Sequence, residues 1–177
     1  MATIFDRCTE RMSTTHCFSP GSVVADLLST EKFEALRELI RRAPVFGALA
    51  DLRRLEEAVI NRERQQSTGF GHGVAVAHGR VEGVPRVLMA LGISRVGIPF
   101  ESPDGEPVRL LFVIASPPSL SLEYLQALST LVRCLRDKEE RDTLIDAPTA
   151  AEIERRIRAS YAAALQRFEE PLRRSTV

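Results

Sequence analysis

The most continuously apolar run in the chain is Leu110–Ala115. A run this short and this apolar is typical of a central strand that is covered on both faces of its sheet. A second segment, Arg86–Ile93, also reads as a buried strand. Asp51–Arg64 and Leu122–Leu135 instead repeat apolar residues at three- or four-residue steps, as amphipathic helices do. Buried strands that alternate with helices predict an α/β protein with a layered sheet.

Composition narrows the class of protein. The chain has 177 residues, of which 44% are hydrophobic and 27% charged, as expected for one soluble domain with a hydrophobic core. Its 24 basic and 24 acidic residues cancel, which argues against a nucleic-acid-binding or polybasic membrane-surface protein. It has no signal-peptide core and no apolar stretch long enough to cross a bilayer. We therefore expect a cytoplasmic protein with no nucleic acid partner and no membrane insertion.

The cysteines do not suggest a disulfide framework or a metal site. Cys8, Cys17 and Cys134 are odd in number, and they show neither Cys-x-x-Cys spacing nor a histidine cluster around them. The sequence therefore predicts no metal and no cofactor. A metal hydrolase is the remotest alternative because the chain lacks ligands for it.

The segment Thr68–Arg80, TGFGHGVAVAHGR, combines alternating glycines with two histidines. The glycines make Thr68–Gly73 a flexible loop whose backbone N–H groups can approach a ligand closely. Val74–Ala77 follows as a short apolar strand that delivers His78 at its end. Gly79 is expected to let the chain turn sharply there, which would leave the imidazole at the rim of a sheet.

A glycine-framed loop followed by a strand and a histidine suits transient attachment of a phosphoryl group to the imidazole. His78 would be nucleophilic while neutral near physiological pH. The glycine pattern alone is weak, since it is neither a Walker loop nor a dinucleotide fingerprint. A partly exposed loop histidine with no chemical role is the alternative interpretation.

Three segments resemble one family in the same order along the chain. Ser67–Arg80 is similar to the active-site loop of the fructose/mannitol-type EIIA domains of the bacterial phosphoenolpyruvate-dependent sugar phosphotransferase system, a family that includes nitrogen-regulatory members. Asp104–Ala115 resembles the family's Asp-Gly-x-Pro-Val turn and buried strand, and Leu122–Asp137 resembles its next helix. The resemblance covers about residues 20–160. It implies a three-layer α/β/α sandwich with a mixed, mainly parallel central sheet.

The resemblance also implies a function and its partners. The chain would be a phosphocarrier that accepts phosphate on His78 from HPr or a paralogue. It would pass the group to an EIIB subunit in sugar uptake, or act on a regulated target protein in nitrogen-type regulation, which we favour slightly. The alternative is a non-catalytic interaction module that keeps the EIIA fold and signals through protein contacts.

The resemblance assigns roles to further residues. Arg62 and Glu63 match an Arg-Glu pair that precedes the family's glycine loop, and the resemblance implies that the arginine faces the phosphoryl group. Without the resemblance, Arg62 could equally be a solvated cation at a helix end. Phosphate contacts are expected from the backbone of the loop and the hydroxyl of its threonine, that is, from Thr68, Gly69, Gly71, His72 and Gly73.

Two positions depart from the family pattern. Ala77 stands where the family has a proline before the active histidine, which frees one backbone N–H. Tyr124 stands where many members place a second histidine, and a tyrosine can donate a hydrogen bond but cannot become positively charged near neutral pH. His72 is either an exposed loop residue or a partial replacement for that histidine, with an imidazolium close to the phosphoryl oxygens.

Domain limits follow from the same patterns. Residues 1–21 are polar and without a sustained period, so we expect a poorly ordered extension there. The EIIA-type domain would occupy residues 22–170. The last residues, 171–177, are expected to fray.

Overall fold

The computed structural model describes residues 17–174, with side chains up to Arg167. Within this range, five strands and five α-helices follow one another, with a 3-10 helix at Pro44–Phe46. The strands are β1 (Val23–Val24), β2 (Gly69–Gly71), β3 (Val74–Arg80), β4 (Leu88–Ile98) and β5 (Val108–Ser116). The helices are α1 (Lys32–Arg42), α2 (Leu52–Gln65), α3 (Ser121–Cys134), α4 (Lys138–Asp146) and α5 (Ala150–Arg174).

The strands form one mixed sheet in the order β1-β4-β5-β3-β2. The β1/β4 and β3/β5 pairs are parallel, whereas the β4/β5 and β2/β3 pairs are antiparallel. The predicted mixed sheet is confirmed, although parallel pairings are not in the majority. Because β3 and β5 run in the same direction, their carboxyl ends lie at one edge of the sheet, and the chain passes from β5 into α3 there.

The predicted central strand, β5, separates two hydrophobic cores. Leu110, Phe112 and Ile114 belong to the core that β5 shares with α3 and α5. Leu111 and Val113, on the alternate face, belong to the core shared with α1 and α2. Burial of each large apolar side chain contributes about 1.5–3 kcal/mol, which explains the helical layer on either face. The three-layer α/β/α sandwich is therefore confirmed.

The domain begins earlier than the sequence predicts. Cys17 and Phe18 are buried, and the Phe18 ring packs edge-on against Phe112 and Tyr161 at centroid distances of 6.3 and 5.4 Å. Residues 17–21 therefore belong to the packed domain, whereas residues 1–16 lie outside the described part of the chain. An isolated phenylalanine among polar residues gives no periodic signal, so the sequence did not reveal its burial.

The other end of the domain also differs. Thr149 caps α5, accepting a hydrogen bond from the Glu152 backbone N–H at 3.2 Å. The helix then continues past Glu170 to Arg174, and residues 175–177 lie outside the described part. Within the described residues, none of the helices combines the length and the apolar character that crossing a bilayer requires.

Candidate active site at His78

His78 lies inside β3, in register with Ile114 of β5, and its side chain is half-buried near the carboxyl edge of these strands. The predicted turn at Gly79 is wrong, because the strand continues through Gly79 to Arg80. Gly79 instead allows α2 to approach. A Cβ atom there would lie 2.9 Å from Val59 Cγ2 and 3.2 Å from Ala58 Cβ. The glycine therefore brings α2 directly against the strand that carries the histidine.

This close packing positions Arg62, which follows Val59 by about one helical turn. Arg62 Nε donates a hydrogen bond to His78 Nε2 at 3.2 Å, and its Nη1 donates to the Gln66 carbonyl at 3.0 Å. Since a guanidinium can only donate, Nε2 of the neutral imidazole is the acceptor and the ring proton is assigned to Nδ1. The structure thus brings Arg62, which the family resemblance assigns to the site, into contact with His78.

The surroundings keep His78 neutral. Burial lowers the pKa of His78, and the positive charge of Arg62 lowers it further. The backbone of Val76 and the Glu63 carboxylate raise the pKa of His78, whereas the charge of Arg80 lowers it. Nδ1 is buried and has no hydrogen-bond partner of normal geometry among the described residues. Nε2 is therefore the nitrogen that offers a lone pair to an incoming electrophile.

Tyr124 lies beside His78, as its alignment with the family histidine predicts. It occupies the first turn of α3, and its ring centroid is 5.4 Å from that of the imidazole, with an angle of 44° between the two planes. Tyr124 is buried, which raises the pKa of its hydroxyl. The residue therefore stays neutral at any physiological pH.

The structure does not bring the tip of the glycine segment to His78. β2 and β3 form a hairpin whose turn contains His72 and Gly73, both with positive φ, and Asp104 Oδ2 accepts from the His72 backbone N–H at 2.6 Å. Val74 precedes His78 by four positions of extended strand, a distance of about 13 Å. The hypothesis that His72 replaces the missing histidine has no geometric support, and the same distance argues against phosphate contacts from Gly71 and Gly73.

Thr68 and Gly69 lie at the other end of β2, closer to His78, but their groups are engaged elsewhere. The Thr68 backbone N–H donates to Glu63 Oε1 at 3.0 Å, and its hydroxyl also donates to the Glu63 carboxylate. A Cβ atom on Gly69 would lie 2.6 Å from Ser102 Oγ, so this glycine permits close packing. The donors of Thr68 are therefore already satisfied by Glu63 in this structure.

A buried ion pair next to the site was not predicted from the sequence. Lys32 Nζ lies 2.8 Å from Glu63 Oε1 and 3.0 Å from Glu101 Oε2. Burial opposes the charge of Lys32, but hydrogen bonds to the two glutamates outweigh it and raise the pKa of the lysine. Through Glu63, Lys32 ties α1 to the end of α2 and to Thr68. The Arg62-Glu63 pair is recognisable in the sequence, but the sequence does not identify Lys32 as the buried partner of Glu63.

Arg80 is a second residue that the predicted site omitted. Its Cζ lies 5.1 Å from the centroid of the Tyr124 ring, and its Nη1 donates to Ser121 Oγ at 3.2 Å. Arg80 follows His78 by two residues in one strand, so both side chains leave the same face of the sheet. The two-residue spacing between His78 and Arg80 is the sequence feature that could have identified Arg80 as a site residue. No group of three or more metal-binding side chains occurs within the described part of the chain.

Comparison with known proteins places the chain in a family. Residues 16–160 match the family model described as "Phosphoenolpyruvate-dependent sugar phosphotransferase system, EIIA 2". The chain is 34% identical over 136 residues to the fructose-specific EIIABC component of Bacillus subtilis, an alignment covering 77% of this chain but only 21% of that protein.

Two solved structures have the same fold. Nitrogen regulatory protein IIA-Ntr from Neisseria meningitidis gives a TM-score of 0.67 at 31% identity, covering 81% of this chain and 97% of the other. Enzyme IIAMTL from Escherichia coli, solved in complex with phosphorylated enzyme IIBMTL, gives a TM-score of 0.65 at 20% identity, covering 78% and 94%. The chain thus belongs to the EIIA 2 family of the phosphoenolpyruvate-dependent sugar phosphotransferase system and has the phosphocarrier role of that family.

Proposed function

We propose that Nε2 of His78 is the atom that carries the phosphoryl group in this phosphocarrier role. The observation that supports the proposal is the contact between Arg62 Nε and His78 Nε2, which leaves a neutral imidazole with its lone pair toward a cation. Such an arrangement offers a nucleophile and charge stabilisation at the same point.

The transfer step requires little movement of protons. The Nε2 lone pair forms a bond to phosphorus as the bond between phosphorus and the donor breaks, and the donor leaves with that electron pair. His78 keeps its Nδ1 proton throughout. Arg62 exchanges its hydrogen bond to Nε2 for one to a phosphoryl oxygen, where it neutralises the charge that develops on the equatorial oxygens.

Of the other predicted residues, Tyr124 is proposed to border the phosphoryl group as a neutral neighbour of His78. Thr68 and Gly69 support the site through the contacts that hold β2 rather than as phosphate ligands. Ala77, which replaces the family proline, pairs in register with Val113 of β5, so the substitution leaves β3 continuous.

The proposed partners are HPr or a paralogue as donor and an EIIB domain or a regulated target as acceptor. Leu122 and Leu125 support protein contacts beside the site, because both are exposed on the helix that carries Tyr124, with 79% and 55% of their surface accessible. Sugar uptake and nitrogen-type regulation differ in the acceptor: phosphoryl transfer to an EIIB domain supports uptake, and phosphorylation-dependent binding of another protein supports regulation.

Phosphorylation in a reconstituted system tests this function. The protein is incubated with phosphoenolpyruvate, the general enzyme of the system and HPr, and its intact mass is measured. We expect one acid-labile phosphate on the wild type and on His72→Gln, and none on His78→Ala. A wild type that stays unmodified with active donors would overturn the proposal.

That negative result would favour the second candidate, an interaction module that keeps the EIIA fold. The observation in its favour is the replacement of a second site histidine by Tyr124, which removes a group that could carry charge. The intact His78 and Arg62 pair weighs against it.

A further inference from the structure

We infer that Arg80 is a second phosphoryl-binding guanidinium of this site, held in place by the ring of Tyr124 and by Ser121. The inference rests on the proposed role of His78. Tyr124 stands where many family members have a second histidine. We assign the positive charge near that position to Arg80 of β3.

The first argument is geometric. The Tyr124 ring is a neighbour of both side chains, with its centroid 5.4 Å from that of His78 and 5.1 Å from Arg80 Cζ. Ser121 Oγ accepts from Arg80 Nη1 at 3.2 Å and itself donates to the Pro118 carbonyl at 3.1 Å. Two contacts with the start of α3 therefore hold the guanidinium near the imidazole.

The second argument concerns charge. Within the described part of the chain, neither Arg62 nor Arg80 forms an ion pair with a carboxylate, so both can bind an anion. Eight other arginines of the described residues are already neutralised by a nearby acidic side chain, namely Arg37, Arg41, Arg42, Arg53, Arg54, Arg155, Arg156 and Arg158. Two guanidinium groups that lack a carboxylate partner and lie near one histidine suit a dianionic phosphoryl group.

The third argument is direction. Arg62 belongs to α2, which packs on one face of the sheet, whereas Arg80 and Tyr124 belong to the face covered by α3. The two guanidinium groups are thus anchored on opposite faces of the sheet, Arg62 in contact with His78 and Arg80 in contact with Tyr124. Charge spread over three equatorial phosphoryl oxygens is neutralised better from two sides than from one.

Tyr124 has a defined part in this arrangement. The face of a tyrosine ring attracts a guanidinium within about 6 Å of its centroid. The ring therefore positions Arg80 without carrying charge, and its hydroxyl is not needed for that task. The ring face of Tyr124, which holds Arg80, and the hydroxyl, which can donate a hydrogen bond, therefore have separate roles.

The test compares Arg80→Gln with Arg53→Gln, which removes the same charge from an exposed position of α2. Phosphorylation of His78 is timed with two donors, phosphorylated HPr and phosphoramidate, a small molecule that needs no protein docking. We expect Arg80→Gln to be about tenfold slower with both donors. We also expect the pKa of His78, measured by NMR titration, to rise in Arg80→Gln and to stay unchanged in Arg53→Gln.

The outcomes separate the two proposals. A wild type that neither donor phosphorylates overturns the role of His78. A labelled wild type with an equally fast Arg80→Gln variant overturns only the role of Arg80. Slowing with HPr alone also overturns it, because Arg80 would then be a docking residue.

Two ring variants test the positioning role of Tyr124. The effect of Arg80→Gln is measured in Tyr124→Phe and Tyr124→Leu backgrounds, after circular dichroism has shown that each variant is folded. We expect about the same tenfold effect in Tyr124→Phe and less than about threefold in Tyr124→Leu. An effect of equal size in all backgrounds would overturn the positioning role. If Tyr124→Leu does not fold, loss of the Arg80 effect in Tyr124→Phe would overturn it instead.

Discussion

Arg62 and His78 meet through their ε nitrogens, 3.2 Å apart, although one belongs to a helix and the other to a strand. The contact has two consequences. It leaves the His78 lone pair facing a cation, and it helps to lower the pKa of the histidine, to which burial contributes most. His78 is therefore neutral and nucleophilic at pH values where an ordinary histidine is partly protonated.

The first prediction is that Arg62→Gln slows phosphorylation of His78 by about 10- to 100-fold, because a cation that stabilises the transferring group is lost. The pKa of His78 should also rise, since the positive charge that lowers it is gone. Rates measured between pH 5 and 8 should therefore begin to fall at a higher pH in the variant than in the wild type.

Arg53→Gln serves as the control for this change, since it removes an arginine from the same helix without contact to His78. Thermal unfolding should differ little between Arg62→Gln and the wild type, because a cation at a helix end contributes little stability. A parallel pH profile at the wild-type rate would exclude Arg62 from the site.

The second prediction concerns the buried pair of Lys32 and Glu63. Glu63→Gln should lower the free energy of unfolding by about 3 kcal/mol, because it removes one partner of a buried ion pair and weakens the bonds to Thr68. The matched control is Glu101→Gln, which removes the exposed partner of the same lysine and should cost less than about 0.5 kcal/mol. Urea unfolding measures both, and equal effects would show that burial of the pair is unimportant.

The parts of the fold that the sequence predicted well are those with a repeating apolar pattern. The predicted helix Asp51–Arg64 and the observed α2, Leu52–Gln65, agree within a residue at each end. Leu110–Ala115 is indeed the core of the central strand. In both segments, the apolar pattern itself defines the surface that packs against the core. The local sequence is therefore sufficient to predict the element.

Features that depend on contacts between distant segments could not be predicted in this way. The role of Gly79 is set by Val59 on another element, and the charge of Lys32 is stabilised by Glu63 through tertiary packing. Closeness in sequence to His78 suggests a site role for His72, but an extended strand carries the two residues apart. Sequence proximity is a poor guide to distance along a strand.

The third prediction concerns stability in acid. Burial alone would raise the pKa of Glu38, but hydrogen bonds from the backbone N–H groups of Leu28 and Ser29 and from Arg42 lower it to about 2. The folded pKa lies below the unfolded value of 4.5, so the carboxylate stabilises the fold above about pH 4.5. This contribution is lost as the pH falls toward 2.

Glu38→Gln should therefore cost roughly 1–2 kcal/mol at pH 7, allowing for solvent screening, and progressively less as the pH falls from 4.5 toward 2. Chemical unfolding at a series of pH values measures the difference. Glu34→Gln, an exposed position of the same helix, is the control and should change stability by less than about 0.5 kcal/mol. A cost for Glu38→Gln that is independent of pH would show that its charge is not the source of the stabilisation.

The fourth prediction joins packing to chemistry through Gly79. A methyl group at this position would lie 2.9 Å from Val59 Cγ2, so Gly79→Ala should push α2 away from β3 and destabilise the domain by about 1–3 kcal/mol. Because α2 carries Arg62, the same displacement should slow phosphorylation of His78 by more than the loss of stability alone explains. The second substitution Val59→Ala removes the closest clash and should restore part of the rate in the double variant. Stability that recovers in the double variant without any recovery of the rate would show that the position of α2 does not control the contact between Arg62 and His78.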